Sequence, residues 1–358
     1  MAYTTIDDPS AYFQTALYTG NGTSTNAITN DGNSDLQPDW LWLKSRSITS
    51  DNIIFDSTRG TNKRVSTNTT SAEETQAFYS SFDSDGFTLG DSNANVNQSS
   101  ATYVNWQWKA NGGTTSSNGN GSITSTVQAD TTAGFSIVTY TGTGSTATIG
   151  HGLGAIPDMI IVKNRSASQN WRVFHKDAYH GGGYGQYQSG IKLNSSAAAD
   201  HGANSYWNNT AFTSNVFTIH TNAEVNVNSQ NFVAYCFKSI QGYSKFGRYK
   251  GQENADGPFV YTGFAPAWIM IKQTDQSRDW LILDNKREPN NDSSRLRLKA
   301  NSSGADDDSA DNGIDFLSNG FKIRTGANGL NANTGNFVYM TFAEHPFVSS
   351  KGVPATAR

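Results

Sequence analysis

The chain has 358 residues, of which 16% are charged and 35% are apolar, and its formal net charge is −4. An average soluble domain carries roughly 25% charged residues, so neutral polar side chains take the place of charges on this surface. The negative net charge argues against nucleic-acid binding, which needs a basic surface. No stretch approaches the ~18 apolar residues of a membrane span, so we expect no membrane insertion.

The start of the chain and the cysteine content bear on the compartment. Residues 1–10 have neither the basic nor the apolar stretch of a signal peptide. Cys236 is the single cysteine, which excludes a disulfide within the chain. A composition typical of extracellular β-proteins, without an export signal, fits assembly in a host cytoplasm and release by lysis. This combination predicts a virion protein.

One pattern occurs three times along the chain: a Pro, an apolar run, and a Lys six positions after the Pro. The copies are Pro38–Lys44, Pro157–Lys163 and Pro266–Lys272. Each run lacks a polar face, which predicts a β-strand that is covered on both sides, with Trp268 of the third copy in a core. The spacing of the copies predicts a β-rich unit of about 100 residues that is present three times.

Further motifs keep the same register after each Lys. A Phe-x-Ser-[Asp/Asn]-x-Phe motif follows, beginning at Phe82, Phe212 and Phe316, and favours a turn between apolar residues. Each copy then ends with a closing strand. In the first of these strands, Asn105 and Gln107 alternate with apolar residues, which predicts one solvent-exposed face. The closing strands are Tyr103–Trp108, Phe232–Phe237 and Phe337–Phe342.

These elements predict an all-β fold of three tandem β-sandwich units. The predicted units are residues 11–110, 134–240 and 241–347. Residues 111–133, rich in Gly, Ser and Asn, are predicted to form a flexible linker on which the first unit hangs. Residues 1–10 are predicted to form an attachment segment, and residues 348–358 a C-terminal tail.

Short motifs spread along the chain carry a resemblance to a known family. They are Leu17–Gly22, Tyr140–Gly144, Gly152–Asp158, Asp279–Arg287 and Val338–Glu344. With them the chain resembles a family of repeat proteins of tailed, mainly marine bacteriophages, described as uncharacterised virion or tail-fibre-like proteins. The resemblance covers about residues 11–358. It implies a virion location and jelly-roll or concanavalin-like sandwich units, and it implies no catalytic residues.

Several residues have side chains that could support catalysis or metal binding, and each of them also has a structural interpretation. The histidines have no recognised zinc spacing, and we expect no cofactor. Asp56 and Asp284 occupy equivalent positions, with His175 in the second copy. Because they repeat in register, we interpret them as serving the fold, and the alternative is the carboxylate pair of a glycan depolymerase. For the acidic segment Asp306–Asp311, a solvated loop and a weak calcium site both remain open.

The second copy alone contains an insertion rich in Gly and Tyr. Aromatic rings beside amides suit contact with sugars or proteins, and the alternative is packing within the sandwich or between subunits. A basic cluster at Lys245, Arg248 and Lys250 is interpreted as one solvent-exposed strand face. The candidate contact residues are Tyr179, His180, Tyr184, Tyr187, Tyr206 and Trp207.

We therefore expect a non-enzymatic bacteriophage virion protein: a fibre, decoration or tail component that acts through protein–protein assembly. Its expected partners are copies of itself, with a trimer preferred by analogy with fibre proteins, and other virion proteins bound through residues 1–10. The first alternative is an adhesin that recognises a host surface glycan. The second alternative is a glycan depolymerase.

Overall fold

The computed structural model describes residues 2–179, 183–202, 205–291, 295–309, 311 and 313–355. It confirms the predicted all-β fold, since strands make up nearly all of the regular structure. The helical elements of the described residues are one short helix, α1 (Asn328–Asn331), and 3₁₀ turns at Pro9–Ala11 and Gln186–Gln188. None of the helices in these ranges is long and apolar enough to cross a membrane.

The first unit is a large antiparallel sheet with a small sheet on its outer face. Its strands are β1 (Phe13–Thr19), β2 (Asn26–Thr29), β3 (Trp40–Ser45), β4 (Ile53–Asp56), β5 (Gly60–Ser66), β6 (Glu74–Thr75), β7 (Tyr79–Asp83), β8 (Gly86–Leu89) and β9 (Thr102–Trp108). The large sheet has the order β1-β9-β3-β4-β5-β6, and the small sheet has the order β2-β8-β7.

The second unit has the same plan, extended by two strands at one edge. Its strands are β10 (Ser116–Asn118), β11 (Ser125–Asp130), β12 (Phe135–Thr141), β13 (Ala147–Gly150), β14 (Met159–Asn164), β15 (Arg172–His175), β16 (Ser189–Lys192), β17 (Asp200–His201), β18 (Val216–Ile219) and β19 (Asn231–Phe237). The large sheet runs β10-β11-β12-β19-β14-β15-β16-β17, and β13 pairs with β18 in the small sheet.

The third unit repeats the plan of the first. Its strands are β20 (Ser244–Lys250), β21 (Phe259–Tyr261), β22 (Phe264–Gln273), β23 (Leu281–Asp284), β24 (Arg295–Lys299), β25 (Asp307–Ser309), β26 (Ile314–Leu317), β27 (Gly320–Ile323) and β28 (Asn336–Pro346). The large sheet has the order β20-β28-β22-β23-β24-β25, and the small sheet has the order β21-β27-β26.

The register of the strands repeats together with their order. In each unit, the residue two positions after the repeated Pro lies opposite the last aromatic residue of the closing strand. These pairs are Trp40 with Trp108, Met159 with Phe237, and Trp268 with Phe342. The repeated sequence motif therefore corresponds to one repeated strand arrangement.

Two kinds of hydrophobic core follow from this plan. The outer face of each large sheet packs against its own small sheet, which gives three separate outer cores. The inner faces of all three large sheets share one central core. Ring centroids of Trp40 and Tyr235 lie 4.7 Å apart, those of Trp108 and Trp268 5.5 Å apart, and those of Phe237 and Phe342 6.2 Å apart. Each unit thus contacts both of the others, and the three units form a closed ring.

Two of the strands that follow the repeated Pro, β3 and β14, are completely buried, as predicted. The predicted solvent-exposed face of the first closing strand is wrong, because Asn105 and Gln107 are completely buried. The small sheet covers that face. Asn105 Nδ2 donates to the Tyr79 hydroxyl at 2.8 Å, and Gln107 Nε2 donates to Asn30 Oδ1 at 2.7 Å.

The predicted flexible linker at residues 111–133 is also wrong. This segment supplies β10 and β11 of the second large sheet. Its backbone amides at Gly112 and Gly113 donate to the Asp39 carboxylate of the first unit at 2.9 and 2.8 Å. The first unit is therefore held in the ring and does not hang on a hinge.

The N-terminal segment is packed onto the ring and is not a free arm. Ile6 is 2% exposed and lies in the central core. The Thr4 hydroxyl donates to the Gln241 carbonyl at 2.8 Å. Asp7 accepts a hydrogen bond from the backbone amide of Ser350 at 2.6 Å, so the two terminal segments adjoin. Removal of residues 1–10 would consequently expose core surface.

Candidate functional site

The repeated lysines close the ring. Lys44, Lys163 and Lys272 are completely buried at the ends of the central strands. Each ammonium group donates to at least one carbonyl of its own unit and to one carbonyl of a neighbouring unit, and Lys272 also donates to the Gln273 carbonyl at 2.7 Å. The pairs of acceptors are Ser50 and Ser303 for Lys44 (2.9 and 3.0 Å), Gln169 and Thr70 for Lys163 (2.9 and 3.1 Å), and Arg278 and Ser196 for Lys272 (2.8 and 3.1 Å).

These contacts run in one direction around the ring. The lysine of the first unit reaches the third unit, that of the second reaches the first, and that of the third reaches the second. A charged group without a carboxylate partner is costly to bury, and backbone carbonyls compensate only in part. Burial therefore lowers the pKa of Lys44, Lys163 and Lys272 to about 8.

The lowered pKa values predict a rise in stability with pH between about 8 and 9. In that range the folded protein releases protons from the three lysines while the unfolded chain retains them. The unfolding free energy should then rise by on the order of 1.4 kcal/mol per pH unit for each lysine. Below the folded pKa both states are protonated and the gain is absent. Urea denaturation at several pH values measures this slope.

The variant Lys272→Met isolates one lysine. Its slope of unfolding free energy against pH should be lower than that of the parent protein. The difference should be about one third of the contribution of the three lysines, because the other two remain. Lys250 is exposed on β20, so Lys250→Met serves as the matched control and should keep the slope of the parent protein. Equal slopes for all three proteins would contradict the assignment.

A second repeated position links each unit to the unit on its other side. Asp56 Oδ2 accepts the Tyr235 hydroxyl of the second unit at 2.7 Å, and Asp284 Oδ2 accepts Trp106 Nε1 of the first unit at 3.0 Å. Each carboxylate also binds a buried arginine three residues later in the chain. These arginine contacts are charge-assisted, so the carboxylates are fully committed to the fold.

The histidine at the third of these positions has a physical explanation. Tyr235 and Trp106 correspond to Met340 in the third unit, and a methionine cannot donate a hydrogen bond. His175 stands opposite Met340: its Nδ1 accepts from the Asp177 amide at 3.1 Å, and its Nε2 donates to the Tyr339 carbonyl at 3.2 Å. Burial lowers the pKa of His175 to about 4. A neutral histidine thus replaces a carboxylate where the partner has no donor.

The candidate contact residues of the second unit do not form one surface. Trp207 was predicted to be exposed but is completely buried, because its ring fills the outer core and Nε1 donates to the Ser189 carbonyl at 3.0 Å. Tyr187 stacks on Phe174 in the same core, with centroids 5.6 Å apart. Both rings pack within the sandwich, which is the alternative that the sequence left open.

The remaining candidates that the structure describes contact different partners. The Arg172 guanidinium lies 3.8 Å from the centroid of the Tyr206 ring, and Arg248 lies 5.6 Å from that of Tyr179. Tyr184 is 40% exposed and stacks on a histidine at 5.8 Å. His180 lies outside the described residues.

The acidic segment is mostly committed to arginines. Asp306 accepts from Arg46 at 2.8 Å and from Arg287 at 2.7 Å, and so ties the first unit to the third. Asp307 pairs with Arg297 at 2.6 Å across β24 and β25. The residues that the structure describes contain no group of three potential metal ligands. Asn312, which the calcium alternative would place among the ligands, falls outside the described residues.

The junctions between units differ in the space that they leave. Between the first and second units, residues 111–113 fill the space against Asp39. Between the third and first units lies a cleft of about 280 Å³, where Lys286 pairs with Asp31 at 2.6 Å. Between the second and third units lies a cleft of about 390 Å³, lined by Tyr3, Lys245 and Tyr261 among others.

A family model described as a domain of unknown function, DUF7483, matches residues 8–346. The chain belongs to the DUF7483 family. None of the curated proteins compared with the chain matches it.

The extent of the DUF7483 match agrees with the ring. It begins just before β1 and ends at the last residue of β28, so it includes all three large sheets. The central core needs an inner face from each of these sheets. The DUF7483 domain therefore corresponds to the complete ring and not to one of its repeated units.

Proposed function

We propose that the protein is a non-enzymatic structural component of a bacteriophage virion that acts through protein–protein assembly. One observation carries this proposal: the polar residues that recur in the repeats close the ring. The buried lysines and the carboxylates Asp56 and Asp284 all bind groups of neighbouring units. Side chains of a kind that can serve a reaction here hold the three units together.

The depolymerase alternative receives no support from the carboxylates that suggested it. Glycosidases place two carboxyl groups on either side of an open substrate site. Asp56 and Asp284 are buried in separate junctions, and each is paired with an arginine at 2.5 and 2.6 Å, respectively. Neither of them lines the clefts between units.

Attachment in the particle is proposed to use the end of the ring where both terminal segments lie. The two segments adjoin where Asp7 contacts Ser350. Because the N-terminal segment is packed, it would present a fixed surface to other virion proteins and not a mobile arm. Self-association, as a trimer by preference, remains part of the proposal and rests on analogy with fibre proteins.

Mass spectrometry of gradient-purified virions from the phage that encodes the chain tests this proposal. We expect the protein at a constant copy number relative to the major capsid protein. Sedimentation equilibrium of the purified full chain should show self-association with rising concentration. Presence in the lysate together with absence from purified virions would refute the virion assignment. A monomer at all concentrations would refute only the self-association.

A further inference from the structure

The cleft between the second and third units is formed by four separate parts of the chain, one of which is the N-terminal segment with Tyr3. The turn after β15 contributes Lys176, the connection between the units contributes Ser239 and Gln241, and the third unit contributes Lys245 and Tyr261. Its volume of about 390 Å³ is within the range of ligand sites in proteins. A binding role for the cleft is therefore sterically reasonable.

Tyr261 lines this cleft with an exposed aromatic ring, and Lys245 Nζ lies 5.4 Å from the centroid of that ring. The Tyr261 side chain is 47% exposed. Its hydroxyl lies 3.1 Å from that of Tyr3, and its ring packs edge-on against Phe347 with centroids 6.5 Å apart. Lys245 Nζ donates to the Tyr261 carbonyl at 2.7 Å. The ring is thus fixed in orientation while much of it remains accessible, an arrangement that lowers the entropic cost of binding.

The same cleft carries positive charge. Among the described residues that line it are two lysines and no carboxylate. The Asp158 carboxylate is not among the lining residues. It forms ion pairs with Lys176 at 3.3 Å and with Lys238 at 3.7 Å. Asp177 follows in the chain, so the neighbourhood contains three ammonium groups and two carboxylates. Burial, and then the charge of Lys176, lowers the pKa of Lys245. An anion in the cleft would relieve this repulsion.

The other junctions lack this combination. In the cleft between the third and first units, Lys286 already has a carboxylate partner, Asp31, at 2.6 Å. The space between the first and second units is filled by residues 111–113, which bind the Asp39 carboxylate. Of the three junctions, the one between the second and third units combines an exposed ring with Lys245, whose ammonium group binds a carbonyl and no carboxylate among the described residues.

We propose that this cleft binds an anionic saccharide. The carboxylate or sulfate group would bind the ammonium groups of Lys176 and Lys245, and the C–H face of the sugar ring would lie on Tyr261. Ser239 and Gln241 offer a hydroxyl and an amide group at the same cleft for the hydroxyl groups of the sugar. A nucleic acid is disfavoured because it would need a basic surface on a chain whose net charge is −4.

Calorimetric titration of the full chain at low salt tests this site. The probes are trigalacturonate and a sulfated chondroitin disaccharide, with the trigalacturonate methyl ester as the neutral control. We expect at least one anionic probe to bind more tightly than the ester by about tenfold or more, with an affinity that falls as salt rises. Inorganic sulfate and a thymidine tetranucleotide should bind more weakly than that probe.

Variants locate the binding. Lys245→Met and Tyr261→Ala should each weaken binding about tenfold, whereas Tyr261→Phe, which keeps the ring, should bind like the parent protein. Lys286→Met in the other cleft is the matched control and should have no effect. Melting temperatures confirm that the variants are folded, and Lys176→Met replaces Lys245→Met if that variant unfolds.

Four results would overturn the proposal. They are the absence of binding by both anionic saccharides up to about 10 mM, equal binding of the neutral ester, equal or tighter binding of sulfate or of the tetranucleotide, and undiminished binding by both the lysine and the Tyr261→Ala variants. Each of these leaves the virion proposal untouched, because that proposal is tested by the composition of the particle.

Discussion

Trp268→Ala is expected to lower the unfolding free energy by about 3–5 kcal/mol, the range found when a large buried ring is removed. Trp268 is completely buried in the central core, with ring centroids of Trp108 and Phe342 at 5.5 and 6.0 Å. Its indole N–H has no hydrogen-bond partner among the described residues, so the loss is one of packing. Urea denaturation followed by intrinsic fluorescence and circular dichroism measures it.

Phe259→Ala provides the control for this substitution. Phe259 is 46% exposed on β21, in the same unit, and its removal should change the unfolding free energy by less than about 1 kcal/mol. If Trp268→Ala proved as mild as Phe259→Ala, the common core of the three units would be refuted.

Asp284→Ala is expected to cost about 3–5 kcal/mol, because it leaves a buried arginine with part of its charge uncompensated. Asp284 accepts from Arg287 Nε at 2.6 Å and from the Trp106 indole N–H at 3.0 Å, and all three groups are buried. Arg287 keeps its ion pair with Asp306 at 2.7 Å and its hydrogen bond to the Ile282 carbonyl at 3.0 Å, which limits the loss. Chemical denaturation of the variant measures the change.

Two further variants separate charge from packing at this junction. The double variant Asp284→Ala with Arg287→Met should be more stable than Asp284→Ala alone, since the unpaired charge is then absent. Asp256→Ala removes a carboxylate that is 78% exposed and pairs with Lys322 at 2.7 Å, and it should lower the unfolding free energy much less than Asp284→Ala does. A double variant less stable than the single one would contradict the charge explanation.

The strands and their repetition could be predicted from the sequence because local patterns determine them. The apolar runs Trp40–Leu43 and Met159–Val162 predict strands covered on both faces, and both are completely buried. The residues that cover those faces could not be predicted, because the apolar pattern of one strand indicates that it is buried but not which strand or unit packs against it. The central core therefore could not be predicted from the sequence pattern of any single repeat.

The errors have a common physical cause. Neutral polar residues were interpreted as solvent-exposed, yet Asn105 and Gln107 are buried with hydrogen-bond partners in the small sheet. Residues 111–133 have the composition of a linker, but backbone amides at Gly112 and Gly113 bind a buried carboxylate. In a chain poor in charge, amides and hydroxyls serve the interior as well as the surface.

The cleft was missed for a similar reason. Lys245, Arg248 and Lys250 alternate along β20, which predicts one exposed face. Arg248 and Lys250 are exposed, but Lys245 is half-buried and bound to the carbonyl of Tyr261. Tyr261 belongs to a short edge strand, Phe259–Tyr261, whose alternation indicates an exposed ring but not its neighbours. The convergence of distant segments is visible only in the fold.

Because the units belong to one polypeptide, each junction can mutate independently of the others. In a homotrimer, any substitution at an interface appears three times at once, so the interfaces must stay identical. Here Asp56 meets Tyr235, Asp284 meets Trp106, and His175 meets a backbone carbonyl. One junction can therefore carry a ligand cleft that the other two lack, and the expected stoichiometry is one ligand per ring instead of three.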